Sequence, residues 1–304
     1  MSRLSDAVAA SPPAPRFGFR LVTSERDLTA AMSWLLLSPV LLLFLLVFAI
    51  PVLSMARLSV FDPEFTFENY RLLFSEPLFL RVIWRTLWIS AAVALITLLL
   101  GYPVAALMVR LKGWKAFLIG ACVLVPLWLS ILVRSYAWVV LLSRNGIVTS
   151  FLREAGLIDE STKLMFTDGA VILAMSHVLL PFMILPLFAS LNAIPRDLAP
   201  AAHGLGASHT ETFFRVTLPL SMPGVFAGSV LVFVLALGFF VTPQLVGGPN
   251  SMMASMLISR EATYGDNWGL ASALSTVLFV CALCVVAAVA RFTASREARR
   301  GAKP

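Results

Sequence analysis

Apolar residues fall in long unbroken runs along this chain, and polar residues gather between the runs. Six runs reach the ~20 residues a helix needs to cross a hydrocarbon layer. They lie at 33–55, 86–108, 116–142, 169–191, 223–246 and 268–290, and none contains Asp or Glu. Backbone amides in hydrocarbon must bond internally, so each run predicts an α-helix. The third is long enough to require a tilt or an interfacial end. The first, "WLLLSPVLLLFLLVFAIPVLSMA", is too long for a signal-peptide core and reads as an uncleaved span. Proline interrupts several runs, at Pro39, Pro51, Pro103, Pro126, Pro181, Pro186 and Pro243. Each removes one backbone bond and favours a kink. Pro181 and Pro186 either bracket one bend or mark ordinary helix irregularity.

Composition supports the same class. Apolar residues make up 59% of the 304 and charged residues 13%, about half the charged share of a soluble chain. The net charge is +7. In a soluble protein that would suggest nucleic acid; here basic residues flanking the spans explain it, and no nucleic-acid partner is expected. Cys122, Cys281 and Cys284 all sit in apolar runs, where small packing residues are expected rather than disulfides or metal ligands.

Orientation follows the basic residues. With both termini cytoplasmic, the inner segments carry fourteen Lys and Arg and the outer segments eight, while ten of the sixteen acids fall outside. The tight loop "RLKGWK" between runs two and three votes the same way. The loop between runs four and five is then cytoplasmic. It reads "IPRDLAPAAHGLGASHTETFFRVTLPL" and predicts two short helices around a glycine turn. Asp197 precedes the first, Pro200 is tolerable close to its start, and Gly204 and Gly206 end it. Ser208 and Glu211 form a capping box for the second, which Pro219 is expected to stop. Leu205, Phe213, Phe214 and Val216 are apolar residues in an aqueous loop, so some of them need cover from the spans or a partner. An amphipathic helix lying on lipid would carry more Lys and Arg than Arg196 and Arg215.

This loop resembles the cytoplasmic signature of bacterial ABC-importer permeases: Glu-Ala-Ala, three residues, Gly, nine residues, Ile-x-Leu-Pro. Ala201 and Ala202 match the alanine pair, Gly206 the glycine, and Val216, Leu218 and Pro219 the end, with Val for Ile. Pro200 stands where the family carries Glu, which removes any salt bridge made by that Glu. The resemblance extends over residues 30–292, and "RSYAWVVLLSRNGIVTSFL" (134–152) and "TPQLVGGPNSMMASMLI" (242–258) resemble the spermidine/putrescine branch.

The resemblance implies an all-α integral membrane protein of six transmembrane helices with the type I importer permease fold. The permease domain would span 33–291, with its coupling loop at 192–222 and cytoplasmic tails at 1–32 and 292–304. The expected setting is the bacterial inner membrane. The implied partners are two copies of a cytoplasmic ABC ATPase, a second permease subunit that is a paralogue, and a periplasmic solute-binding protein, besides membrane lipid. The coupling loop would engage the ATPase through Ala201, Ala202, Gly206, Glu211, Val216, Leu218 and Pro219. No cofactor is expected on this chain, which is not expected to be an enzyme; ATP would be used by the partner. The sequence agrees, in that it has no Gly-x-x-x-x-Gly-Lys-Ser/Thr loop to cradle phosphates. The rival reading is a self-sufficient secondary transporter or channel, which would need intramembrane carboxylates; a membrane anchor is the third.

Candidate solute-path residues cluster in two runs. Arg134 is a base inside run three, either on the path or snorkelling to the outer interface. Tyr136 and Trp138 could stack on a cation or form an interface belt. His177 suits an interhelical hydrogen bond. Phe240, Thr242 and Gln244 lie beside Pro243, Gly247 and Gly248, where an irregular backbone is expected. A polycation would call for carboxylates, and only Glu261 and Asp266 lie near the outer mouth; a second subunit could supply others.

Overall fold

The computed structural model describes residues 30–61, 64–265 and 267–301, and the side chains of all of these except 30–33, 250 and 292–301. The expected N-terminal tail lies almost wholly outside them, as does Asp266, whereas the backbone of the expected C-terminal tail is described as far as Gly301, as part of a helix. The chain divides into two units, Met1–Pro51 and Val52–Pro304.

In the first unit, α1 (Ala30–Phe44) passes through a π turn (Leu45–Ala49) into the start of α2 (Ile50–Leu58). Pro39 sits inside α1 without breaking it. Every side chain from Trp34 to Phe48 is exposed. A helix apolar on all sides needs lipid or protein around it.

The second unit is helical almost throughout. Its elements are the rest of α2, α3 (Glu68–Ser75), α4 (Pro77–Arg110), α5 (Trp114–Trp128), α6 (Ile131–Leu142), α7 (Ile147–Glu154) and α8 (Asp168–Asn192). Then follow α9 (Leu198–Gly204), α10 (His209–Thr212), a π turn (Phe213–Thr217), α11 (Leu218–Leu237), α12 (Val241–Val246), α13 (Ala254–Thr263) and α14 (Trp268–Gly301). Among the described residues, six helical stretches are long and apolar enough to cross a membrane: Trp34–Leu58, Pro77–Arg110, Ile131–Glu154, Asp168–Asn192, His209–Leu237 and Trp268–Arg291.

Two expected spans are broken. Run three divides into α5 and α6 at Leu129–Ser130, just after Pro126, and polar α7 extends its second part. Run five divides at Gly238–Phe240 into α11 and α12. The second break is satisfied from outside, because Ser255 Oγ donates to the Phe239 carbonyl at 2.7 Å. Run two is longer than its apolar core: α4 has 34 residues, about 51 Å at 1.5 Å per residue. The end near Arg85 is tied down by an ion pair to Asp168 at 3.6 Å. Pro103, Pro181 and Pro186 all sit inside unbroken helices.

The core is the bundle of α4, α8 and α11. On α4 the buried stripe runs Val82, Thr86, Ile89, Val93, Thr97, Gly101, Ala105, the spacing of one helix face. The hydroxyls of Thr86 and Thr97 donate back to the carbonyls of Val82 and Val93 at 2.7 and 2.8 Å, so they enter the core satisfied. On α8, Val171, Met175, Leu179, Met183 and Leu187 recur every fourth residue and are fully buried. Gly224 and Gly228 of α11 face it as a Gly-x-x-x-Gly pair. A Cβ at Gly224 would stand 2.5 Å from Ser190 Cβ, and one at Gly228 would stand 2.7 Å from Met183 Sδ. Without these two hydrogens for side chains the helices could not approach so closely.

Candidate functional site

The loop between α8 and α11 folds as a helical elbow. Pro200 is the third residue of α9, where a backbone N–H would lack an intrahelical partner anyway. The helix ends in a Schellman motif. The Gly206 amide donates to the His203 carbonyl at 2.9 Å and the Ala207 amide to the Ala202 carbonyl at 3.0 Å. Gly206 takes φ +89° in open space, with no atom within 4 Å of where a Cβ would sit. The backbone conformation, not crowding, calls for glycine here.

The expected capping box forms. Ser208 Oγ accepts from the Glu211 amide at 3.2 Å, and Glu211 Oε2 accepts from the Ser208 amide at 3.0 Å. Arg215 lies 4.0 Å from Glu211 one turn on. A feature not foreseen from the sequence locks the two arms together. His203 Nδ1 donates to the Ala207 carbonyl at 2.9 Å, and its Nε2 meets His209 Nδ1 at 3.1 Å. The two imidazoles are six residues apart; only the turn at Gly206 makes them neighbours.

The second arm differs from expectation at Pro219. It does not stop there. The chain widens into a π turn in which the Leu218 amide bonds to the Phe213 carbonyl, and α11 begins at Leu218 with Pro219 in its first turn. Inside a helix proline lacks a donor and crowds the preceding turn, and the widened π turn lies directly before it, where that crowding falls. The elbow therefore continues as one helical body into α11. Phe213 turns inward, edge-on to Tyr102 at 5.7 Å, and the Tyr102 hydroxyl shares a hydrogen bond with Ser221 at 2.9 Å. Val216 is half-buried. Leu205 and Phe214 remain 91% and 60% exposed, two apolar residues with no cover.

The other end of α11 is about 30 Å away, at 1.5 Å per residue over its 20 residues. There the six candidate path residues separate into two groups. Phe240 and Gln244 line a cleft of about 600 Å³ with Met252, Met256, Arg260 and Tyr264. Arg260 pairs with Glu261 at 2.9 Å. The remaining four do not line it. Thr242 is fully buried and shares a 2.7 Å hydrogen bond with Ser135, joining α12 to α6. Arg134 is buried against α8, its guanidinium 3.4 Å from the Val178 carbonyl. Trp138 Nε1 donates to His177 Nδ1 at 3.3 Å, the interhelical role expected of that histidine. Tyr136 is exposed. Sequence reasoning did not single out Met252, Met256 or Tyr264, whose place depends on how α13 folds back.

Among the described residues no cluster of three or more His, Cys, Asp or Glu is arranged to hold a metal. The bundle, the elbow and the six apolar stretches define a multi-pass membrane permease. Residues 97–296 match the family of binding-protein-dependent transport system inner membrane components, and the chain belongs to that family. It is 37% identical over 248 residues to the spermidine/putrescine transport system permease protein PotB of Haemophilus influenzae, covering 82% of this chain and 86% of that one. The inner membrane ABC transporter permease protein YdcU of Escherichia coli is 37% identical over 245 residues, covering 76% and 77%. A chain in the crystal structure of a bacterial alginate ABC transporter, in complex with an alginate pentasaccharide-bound periplasmic protein, superposes with a TM-score of 0.68. It covers 86% of this chain and 94% of its own, and at 23% identity it shows the shared fold.

Proposed function

We propose that this permease moves a polyamine or a related small solute inward, and that the elbow is its drive point. A separate cytoplasmic ATPase, present in two copies, would hold the elbow and consume the ATP. A periplasmic protein would deliver solute to the outer cleft, and a second, paralogous permease would complete the path. The termini would lie in the cytoplasm. The observation that carries this reading is the hydrogen-bonded Gly206 turn bearing exposed Leu205 and Phe214 and continuous with α11. Apolar residues this exposed on a capped helix pair fit a groove in another protein.

The polyamine assignment draws on the PotB relatives. Phe240 and Tyr264 give the outer cleft aromatic faces for an ammonium group. Its one charged lining residue among those described is Arg260, so carboxylates for a polycation would come from the second permease.

Two measurements test this. Leu205→Glu with Phe214→Glu should abolish co-purification of the ATPase while membrane insertion is kept; retention at wild-type yield would remove the elbow as the drive point. Cells lacking other polyamine uptake and expressing the complete transporter should accumulate radiolabelled putrescine or spermidine. Failure with both, in a system that hydrolyses ATP, would remove the polyamine.

A further inference from the structure

A second cleft, of about 410 Å³, opens where the far end of α4 meets the elbow. Its floor is apolar, built from Tyr102, Ala106, Leu191 and Phe213. The Tyr102 hydroxyl, the polar atom of that floor, is already engaged by Ser221. Three bases stand at its rim: Arg110, Lys112 and Arg196. All three are exposed. No carboxylate lines the cleft, and among the described residues none forms an ion pair with these bases.

We propose that this cleft binds one anionic phospholipid, its phosphate held by Arg110, Lys112 and Arg196 and an acyl chain lying along the apolar floor. The inference rests on the reading above, which puts the elbow at the inner membrane surface. Arg110 is the last residue of α4 and Lys112 follows two positions later, so both stand at the level where a span leaves the membrane. Basic residues at that level attract anionic headgroups. A free phosphate would satisfy the bases but leave the floor wet; a lipid answers both. An acidic segment of the ATPase fits less well, because Leu205 and Phe214, the exposed apolar residues of the elbow, do not line this cleft. The bound lipid would brace α4 against the elbow and make the elbow's stiffness depend on the surrounding membrane.

The test reads lipid on the full-length chain purified in detergent, so it needs neither transport nor partners. Wild-type protein incubated with vesicles of phosphatidylcholine containing phosphatidylglycerol should retain phosphatidylglycerol selectively through delipidating washes, as seen by native mass spectrometry. Each base contributes about fivefold to such attraction, so Arg110→Gln, Lys112→Gln and Arg196→Gln together should weaken retention by about a hundredfold. Ala106→Phe, which fills the floor and leaves the charges, should also release the lipid. Retention by either variant at wild-type level overturns the proposal. So does loss of lipid to millimolar inorganic phosphate, which would make this a phosphate site. The drive-point reading is tested separately at Leu205 and Phe214, so either can fail alone.

Discussion

At the scale of single residues, the turn at Gly206 separates conformation from packing. The position needs a left-handed backbone and has room for any side chain. L-residues in that region cost about 1–2 kcal/mol, and asparagine least among them. Gly206→Asn should therefore keep most ATPase coupling and Gly206→Val should lose it, with membrane yield unchanged for both. Equal loss in both variants would mean that side-chain volume matters, against the open space seen here. This part of the site was legible in the sequence because its signals are local. A glycine after an alanine pair and a Ser-x-x-Glu two residues on act over one or two turns of chain. The His203–His209 contact was not legible, since neither residue signals a partner six positions away. Arg134 was legible only as a question. Its burial against the Val178 carbonyl depends on how α6 meets α8.

At the scale of elements, α8 and α11 are held by the absence of side chains. A leucine at Gly228 would drive its Cβ to within 2.7 Å of Met183 Sδ. Overpacking of this kind typically costs about 1–3 kcal/mol. Gly228→Leu should lower the thermal midpoint in detergent, whereas the same change at Gly238, which has nothing within 4 Å, should disturb packing little. Hydropathy revealed the spans but not their interruptions. Proline was a poor guide, because Pro103, Pro181 and Pro186 lie in continuous helices while a break follows Pro126. Whether a freed carbonyl ends a helix depends on what replaces the lost bond, as Ser255 does at Phe239. That replacement comes from a segment distant in sequence, and no local pattern encodes it. The stop expected at Pro219 failed for a related reason: a π turn directly before the proline widens the helix, which runs on without a break.

At the scale of the molecule, the elbow and the cleft lined by Phe240 and Tyr264 lie at opposite ends of one helix. In a background lacking Cys122, Cys281 and Cys284, a cysteine at Leu205 should react with a membrane-impermeant maleimide only after the inner face is opened. A cysteine at Tyr264 should react in intact spheroplasts. Both positions are highly exposed, so accessibility reports the side of the membrane. The reverse pattern would invert the topology. Reaction of both residues from one face would contradict the separation of the two ends.

The continuity from π turn to α11 has a mechanical implication. A helix turns about 100° per residue, so an uninterrupted one behaves as a crankshaft whose two throws are fixed in phase. One extra alanine spliced between Phe226 and Ala227 would leave the elbow itself intact but twist the far end by that angle, turning Gly228 away from Met183 as it does so. Such a transporter should still bind its ATPase and burn ATP, but in idle, with no solute carried per cycle.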